Sequence, residues 1–383
     1  MTATTDAQTT LSIDPVEVER FTVALVDAGP DEADVVAEIC RIAADLGLET
    51  RVVEVAPGRP NVEVVVPGGT EPGLLFLGHS DVVPAGDGWT GDPYRTRLQD
   101  GRMIGRGTCD MKGGLAAVLA AMSACVRAGV TPAGPVTLAC VVDEEEDGLG
   151  IRSWITERHD SFAACVVAEP TDGVTIVGCR GAANLEITVT GHSAHAGRPE
   201  DGRNAIVAAA RIVDEIAAMH AELAQKPHPV LGAGSWNVGR IDGGTGPSIV
   251  AGQCRLHVDR RLLPDESIDT VVDDLRSRLA AVTDLEVEIR VEMDMPGFVT
   301  DPNGTLAARA MSALSAAGAA DPTTDVWTAS CDGGFVARDL GVPTIVLGPG
   351  DLRAQAHQPD ESVSVDETAL LARAYAELMV GPR

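Results

Sequence analysis

The sequence is poor in basic residues. Lys and Arg together number 29 against 57 Asp and Glu, so the formal net charge is −28 at neutral pH. Such a surface repels polyanions, which removes nucleic acids and anionic membranes from the expected partners. The acidic excess does not point to a substrate; it suits a high-salt habitat and a lysine-poor proteome equally. Long hydrophobic runs are missing too. The longest, "LAAVLAAMSACV" at 115–126, falls well short of the roughly 20 residues of a membrane-spanning helix. It reads as a buried helix between glycine-rich turns. The opening "MTATTDAQTTLSIDPVE" has neither a basic leader nor an apolar core, so no secretory signal is expected. Eight cysteines are scattered without a Cys-x-x-Cys pair in a chain too large to need stapling. Reduced thiols and a cytoplasmic location are therefore expected. Internal repeats and low-complexity segments are also absent.

What is present is an ordinary globular composition, 45% hydrophobic and 22% charged over 383 residues, enough for two domains. Helices are predicted after Asp14-Pro15 and from about 31 to 46, where Gly47 stops the second. Strands are expected at about 61–66, 74–78, 136–142 and 164–168, with helices near 113–128 and 149–158. That alternation predicts the α/β class, a mostly parallel sheet with helices on both faces. After about 179 the pattern changes. "NLEITVTG", a helix at 203–223, "SWNVGRI", "QCRLHVD", a helix at about 266–281 and "LEVEIRVEM" follow in turn. Their β-α-β-β-α-β order predicts a ferredoxin-like α+β unit. From about 300 the α/β character resumes, with "TIVLGPG" as a strand and a terminal helix at 366–380. The expected organisation is a discontinuous domain, 1–179 and 292–383, carrying an inserted domain, 180–291.

Polar residues gather where the apolar strands stop. The strand 74–78 leads to His79 and Asp81, and 136–142 runs into "DEEEDG", which contains Glu144 and Glu145. The strand 164–168 reaches Glu169, the loop "GRGTCDMKGG" sets Asp110 just before a helix, and His357 lies in a late loop. Each has a plain structural reading when taken singly, as a histidine capping a turn or a solvated acidic turn. Together, two imidazoles and three carboxylates suit zinc or a similar divalent metal, because crowded carboxylates need a cation to neutralise them. In open α/β sheets, ligands bind at the carboxyl ends of strands.

The motifs "GHSDVVP", "GRGTCDMKGG", "DEEEDGLG", "AEPT", "GHSAHAGRPEDGRNAI", "DRRLLP" and "AHQPDESV" span nearly the whole chain. In this order they resemble the di-zinc amidohydrolase family of acetylornithine deacetylase, succinyl-diaminopimelate desuccinylase, aminoacylase and glutamate carboxypeptidase. The resemblance implies a zinc-peptidase-like catalytic domain with an inserted lid and dimerisation domain. It also implies two Zn2+ per chain, with Co2+ or Mn2+ able to substitute. Carried over by motif, His79 and Glu169 would hold one zinc, Glu145 and His357 the other, and Asp110 would bridge both. Asp81 would orient His79. Glu144 would be the general base for a metal-activated water. A register one residue later, Glu145 with Glu146, is the alternative; the position of Gly150 favours the first. His195, before "AGRP", would stabilise the oxyanion in the active site of a partner subunit, with His192 as a decoy. Arg261 would grip a substrate carboxylate, and Gly348 would contact the substrate through its backbone.

The implied activity is hydrolysis of the amide bond of an N-acyl-L-amino acid, as in acetylornithine deacetylase. The implied partners are a small N-acyl amino acid or short peptide and a second copy of the chain, bound through the inserted domain. Cys179-Arg180-Gly181 stands where desuccinylases of the family usually pair an arginine before glycine, and Ser248 replaces a usual asparagine. Both departures weaken succinyl-diaminopimelate desuccinylase as an alternative. Dipeptidase or carboxypeptidase activity is a second alternative, and a non-catalytic metal-binding homologue is the alternative from another class.

Overall fold

The computed structural model describes residues 11–157 and 161–381. The expectation of no leader rests largely on residues 1–10, and the expected end of the 149–158 helix falls on residue 158. Both lie outside the described residues.

Two helices, Pro15–Asp27 and Glu32–Asp45, come first. Asp14 caps the first by accepting the N–H of Val16 at 3.0 Å, and Pro15 takes the initial position, where no N–H is required. The sheet that follows runs in the order Glu49–Ala56, Arg59–Val66, Val136–Val141, Gly73–His79, Phe162–Val167, Thr344–Val346, Thr175–Cys179. The strands 136–141, 73–79, 162–167 and 344–346 at its centre are parallel, and the pairs flanking them are antiparallel. Leu75, Phe76, Leu77 and all of Val136–Val141 are buried, as strands covered on both faces must be. Each buried Leu or Phe contributes about 1.5–3 kcal/mol relative to exposure.

The helix Gly113–Ala128 is buried from its start through Cys125. Its small residues let it approach the sheet closely. A Cβ added at Gly114 would stand 2.0 Å from the carbonyl oxygen of Ala168, so this position requires glycine. The contact ties the helix that follows Asp110 to the strand end that carries Glu169.

The chain forms two compact units. The first holds the chain up to Val177, Thr300–Asp325 and the part from Phe335 onward; the second holds Gly178–Val299 and Val326–Gly334. The strand Glu286–Met295 continues through residue 292, with Met295 paired to Ala182, and this unit extends to Val299. Its antiparallel sheet runs Ser235–Gly243, Gln253–Leu262, Gly181–Thr190, Glu286–Met295. The sequence order of helices and strands is the ferredoxin-like one. Helices Ala205–Leu223 and Ile268–Val282 cover one face, where Ile187 and Leu256 share a core with Ile212, Ile216 and Leu275.

Several elements go beyond the sequence expectation, the strand Thr175–Cys179 and the helix Gly333–Leu340 among them. Glu49–Ala56 is an edge strand with most of its residues exposed, so it lacks the alternation that marks a half-buried strand. The helix Thr305–Ala317 and a small sheet of Arg97–Gln99, Arg102–Ile104 and Ser362–Ser364 complete the first unit.

Candidate metal centre

Three neighbouring parallel strands release the chain at one edge of the sheet. Gly73–His79 ends on His79 itself, Val136–Val141 continues to Asp143, Glu144 and Glu145, and Phe162–Val167 continues to Glu169. The parallel register sets His79 beside Val141 and Leu77 beside Val167, which brings these side chains level. Asp110 comes from the glycine-rich loop ahead of Gly113–Ala128. His357 comes from the loop before Ser362–Ser364.

Asp110 is the shared member. Its Oδ1 lies 3.3 Å from His79 Nε2, and its Oδ2 lies 3.3 Å from His357 Nε2. Glu169 Oε1 is 3.3 Å from the same His79 nitrogen, and Glu145 Oε1 is 3.1 Å from His357 Nε2. A carboxylate oxygen of Glu144 lies within 4.8 Å of ligand atoms of His79 and Glu169. Glu146, the alternative in the acidic run, is exposed and belongs to neither group. Asp81 stands behind His79, whose Nδ1 is 3.0 Å from the Asp81 backbone oxygen and 3.4 Å from its Oδ1.

The electrostatics favour a cation. His79, Asp110 and Glu169 are all buried. Burial opposes the His79 imidazolium, but Asp110, Asp81 and Glu169 outweigh it and raise this pKa well above the ordinary value. Hydrogen bonding to Asp110 and then to Glu145 raises His357 to about 10. Burial, followed by the charge of Asp110, pushes Glu169 up to about 8. For Asp110 burial acts upward, yet His357 and His79 prevail and depress it. The cluster thus draws protons where no other positive charge is supplied. Imidazole nitrogens and carboxylate oxygens are the donors that zinc-type divalent metals take, and they stand on both sides of Asp110. Cys109 adds no thiolate, because burial keeps its thiol strongly protonated.

Three sequence-expected residues remain. Gly348 N–H donates to Thr171 Oγ1 at 3.1 Å, and a Cβ there would stand 2.4 Å from the Glu169 oxygen. His195 belongs to the second unit, where its Nδ1 accepts the N–H of Gly197 at 3.0 Å. Arg261, in the same unit, donates through Nε to Asp259 at 3.1 Å.

Two residues outside every motif support the acidic loop. Arg59 forks onto Glu32 at 2.6 and 2.7 Å and reaches Asp143 at 2.5 Å. The other Asp143 oxygen accepts the N–H groups of Asp147 and Leu149, which folds the loop holding Glu144 and Glu145. Glu32, Arg59, Asp81, Glu145 and Glu146 line a cavity of about 560 Å³.

Two imidazole–carboxylate pairs sharing one aspartate, with a further glutamate alongside, equip a metal-dependent hydrolase. The sequence pattern described as Peptidase family M20/M25/M40 matches residues 75–380, and the chain belongs to that family. It is 32% identical over 343 residues to an acetylornithine deacetylase of Vibrio campbellii, covering 87% of each chain. A succinyl-diaminopimelate desuccinylase of Dechloromonas aromatica is 30% identical over 327 residues, covering 82% of this chain and 84% of that one. Among solved structures, an M20 family metallo-carboxypeptidase from Sulfolobus solfataricus superposes with a TM-score of 0.80 at 17% identity. That match covers 95% of this chain and 98% of the other, and it concerns the fold. The family is metal-dependent and typically dinuclear, and the chain is a hydrolase.

Proposed function

We propose that the chain hydrolyses the amide bond of a small N-acyl-L-amino acid, in the manner of acetylornithine deacetylase, using two divalent metals, zinc foremost. The observation that carries this reading is Asp110, flanked by His79 with Glu169 on one oxygen and by His357 with Glu145 on the other. His79, Glu169 and Asp110 would hold one ion, and Asp110, Glu145 and His357 the second. When bound, such ions supply Lewis acidity and lower the pKa of water to about 7.

The chain's own groups do the rest. Glu144 takes a proton from the attacking water and delivers one to the departing amine, so that a carboxylate and a free amine result. His195 serves as the hydrogen-bond donor to the oxyanion. The Gly197 N–H on Nδ1 supports this role, because it leaves the proton of the neutral ring on Nε2. Arg261 has its Nε on Asp259, and its terminal nitrogens are suited to a substrate carboxylate. Gly348 is assigned the backbone contact beside the scissile group. The inserted domain, 180–291, is assigned the lid and the homodimer contact, and the enzyme works in the cytoplasm.

The test is a hydrolysis screen of N-acetyl amino acids, N-succinyl amino acids and dipeptides with metal-loaded protein. N-acetyl substrates should be turned over fastest. A relative named for desuccinylation matches at similar identity, so faster turnover of N-succinyl substrates would move the assignment there. Faster dipeptide cleavage would make the chain a dipeptidase. Binding of metal without hydrolysis of any class would make it a non-catalytic homologue.

A further inference from the structure

Glu361, four positions after His357, is 1% exposed and has no part in the chemistry above. Its Oε1 accepts three backbone N–H groups, from Gly107 at 3.1 Å, Cys109 at 2.8 Å and Asp110 at 3.0 Å. Its Oε2 accepts Arg106 Nη1 at 2.5 Å. Arg106 is also 1% exposed; its Nη2 donates to the Ala85 oxygen at 3.2 Å, and its guanidinium lies over the Trp89 ring. The Glu361 backbone oxygen accepts the N–H of Gly105 at 2.9 Å and the hydroxyl of Thr108 at 3.2 Å. One buried residue therefore collects six donors, all of them from the loop that presents Asp110.

The other end of this contact is the His357 loop itself. His357 has φ 64° and Asp360 has φ 54°, backbone settings that persist only where the surroundings enforce them. Asp360 pins the outer side of the loop by accepting Thr90 N–H at 3.2 Å and Arg97 Nη2 at 2.6 Å. Glu361 pins the inner side. A carboxylate buried without donors is strongly destabilising, so the loop closes on the N–H groups of 107–110 or it does not close in this form. Asp110 needs both oxygens aimed correctly, one toward each histidine. A displacement of its backbone would misdirect both at once.

We propose that Glu361 is a positioning residue that locks the Asp110 loop to the His357 loop, so that the two metal sites form and fail together. This inference rests on the di-metal reading above. In "HQPDES" the histidine is the implied ligand, and the buried glutamate makes the same segment a clamp.

Metal-free full-length protein is titrated with Co2+, followed by calorimetry and by the visible absorption of the bound ion. Glu361→Gln keeps the size and removes the charge that faces Arg106 and the N–H groups. It should weaken both binding steps by about 10–100-fold, the usual scale for partners behind metal ligands, and change the cobalt spectrum of both sites. His357→Ala, by contrast, should weaken one step. Glu361→Gln protein that binds both ions with wild-type affinity and spectrum, or that loses only one step, overturns the proposal. Should Glu361→Gln fail to fold, Glu361→Asp, which retains the charge but shortens the reach, decides by the same criteria. Wild-type protein that binds fewer than two ions would instead overturn the di-metal reading, and this inference with it.

Discussion

Asp81 accepts the backbone N–H groups of both Glu144 and Glu145, one on each carboxylate oxygen, at 3.2 and 3.0 Å. The Oδ1 that accepts Glu144 also lies 3.4 Å from His79 Nδ1, so one side chain stands against both the strand-end histidine and the acidic loop. Asp81→Asn keeps one acceptor but turns an NH2 toward the other N–H. An unsatisfied partly buried group costs about 1–3 kcal/mol. The variant should lose stability on that scale in denaturant melts, and its turnover should fall by more than the stability loss alone explains. Unchanged turnover would show that the loop does not depend on this contact.

Glu144 and Glu145 are neighbours of one type, and the roles proposed for them predict different variants. Glu144→Gln should retain close to two metals per chain and lower turnover by about 10²–10⁴-fold, as expected for a lost general base. Glu145→Gln should weaken one metal, and added zinc should restore part of its rate. Glu146→Gln should do little. Metal-replete but inactive Glu145→Gln, with Glu146→Gln losing zinc, would move the assignment one residue along.

Metal binding should release protons. The carboxylates around them raise both His79 and His357, His357 to about 10, so the metal-free cluster favours protonated imidazoles near neutral pH. Glu169, raised to about 8, is largely protonated there too. Each must lose its proton to become a ligand, so affinity should rise with pH by about tenfold per unit for every proton displaced. Calorimetry in buffers of different ionisation heat measures the number. Affinity independent of pH between 6 and 8 would contradict this account of the site.

The proposed homodimer places His195 in trans. Mixing His195→Ala chains with Glu144→Ala chains, each inactive alone, should restore part of the activity once subunits exchange. A fully active monomer in sedimentation would contradict this.

The strand ends were readable because apolar runs switch to His, Asp and Glu at single positions. His79, the acidic run and Glu169 could therefore be found without coordinates, as could the change of periodicity at the inserted unit. The supports could not. Arg59 meets Glu32 and Asp143 across 27 and 84 residues of chain, and neither pairing leaves a local pattern. The family motif implies an orienting role for Asp81. Its partners Glu144 and Glu145 lie 63 and 64 residues away, so the second role emerges only when neighbouring strands align. Glu49–Ala56 carries no strand signal in the sequence because an exposed edge strand need not alternate.

Metal stoichiometry tests the central claim most directly. Wild-type protein, equilibrated with zinc and freed of excess, should carry close to two ions per chain by elemental analysis, as a dinuclear site requires. Asp110→Ala removes the carboxylate that stands between both histidines, so the value should fall for that variant. A wild-type value of one ion or fewer, unchanged by Asp110→Ala, would contradict the account.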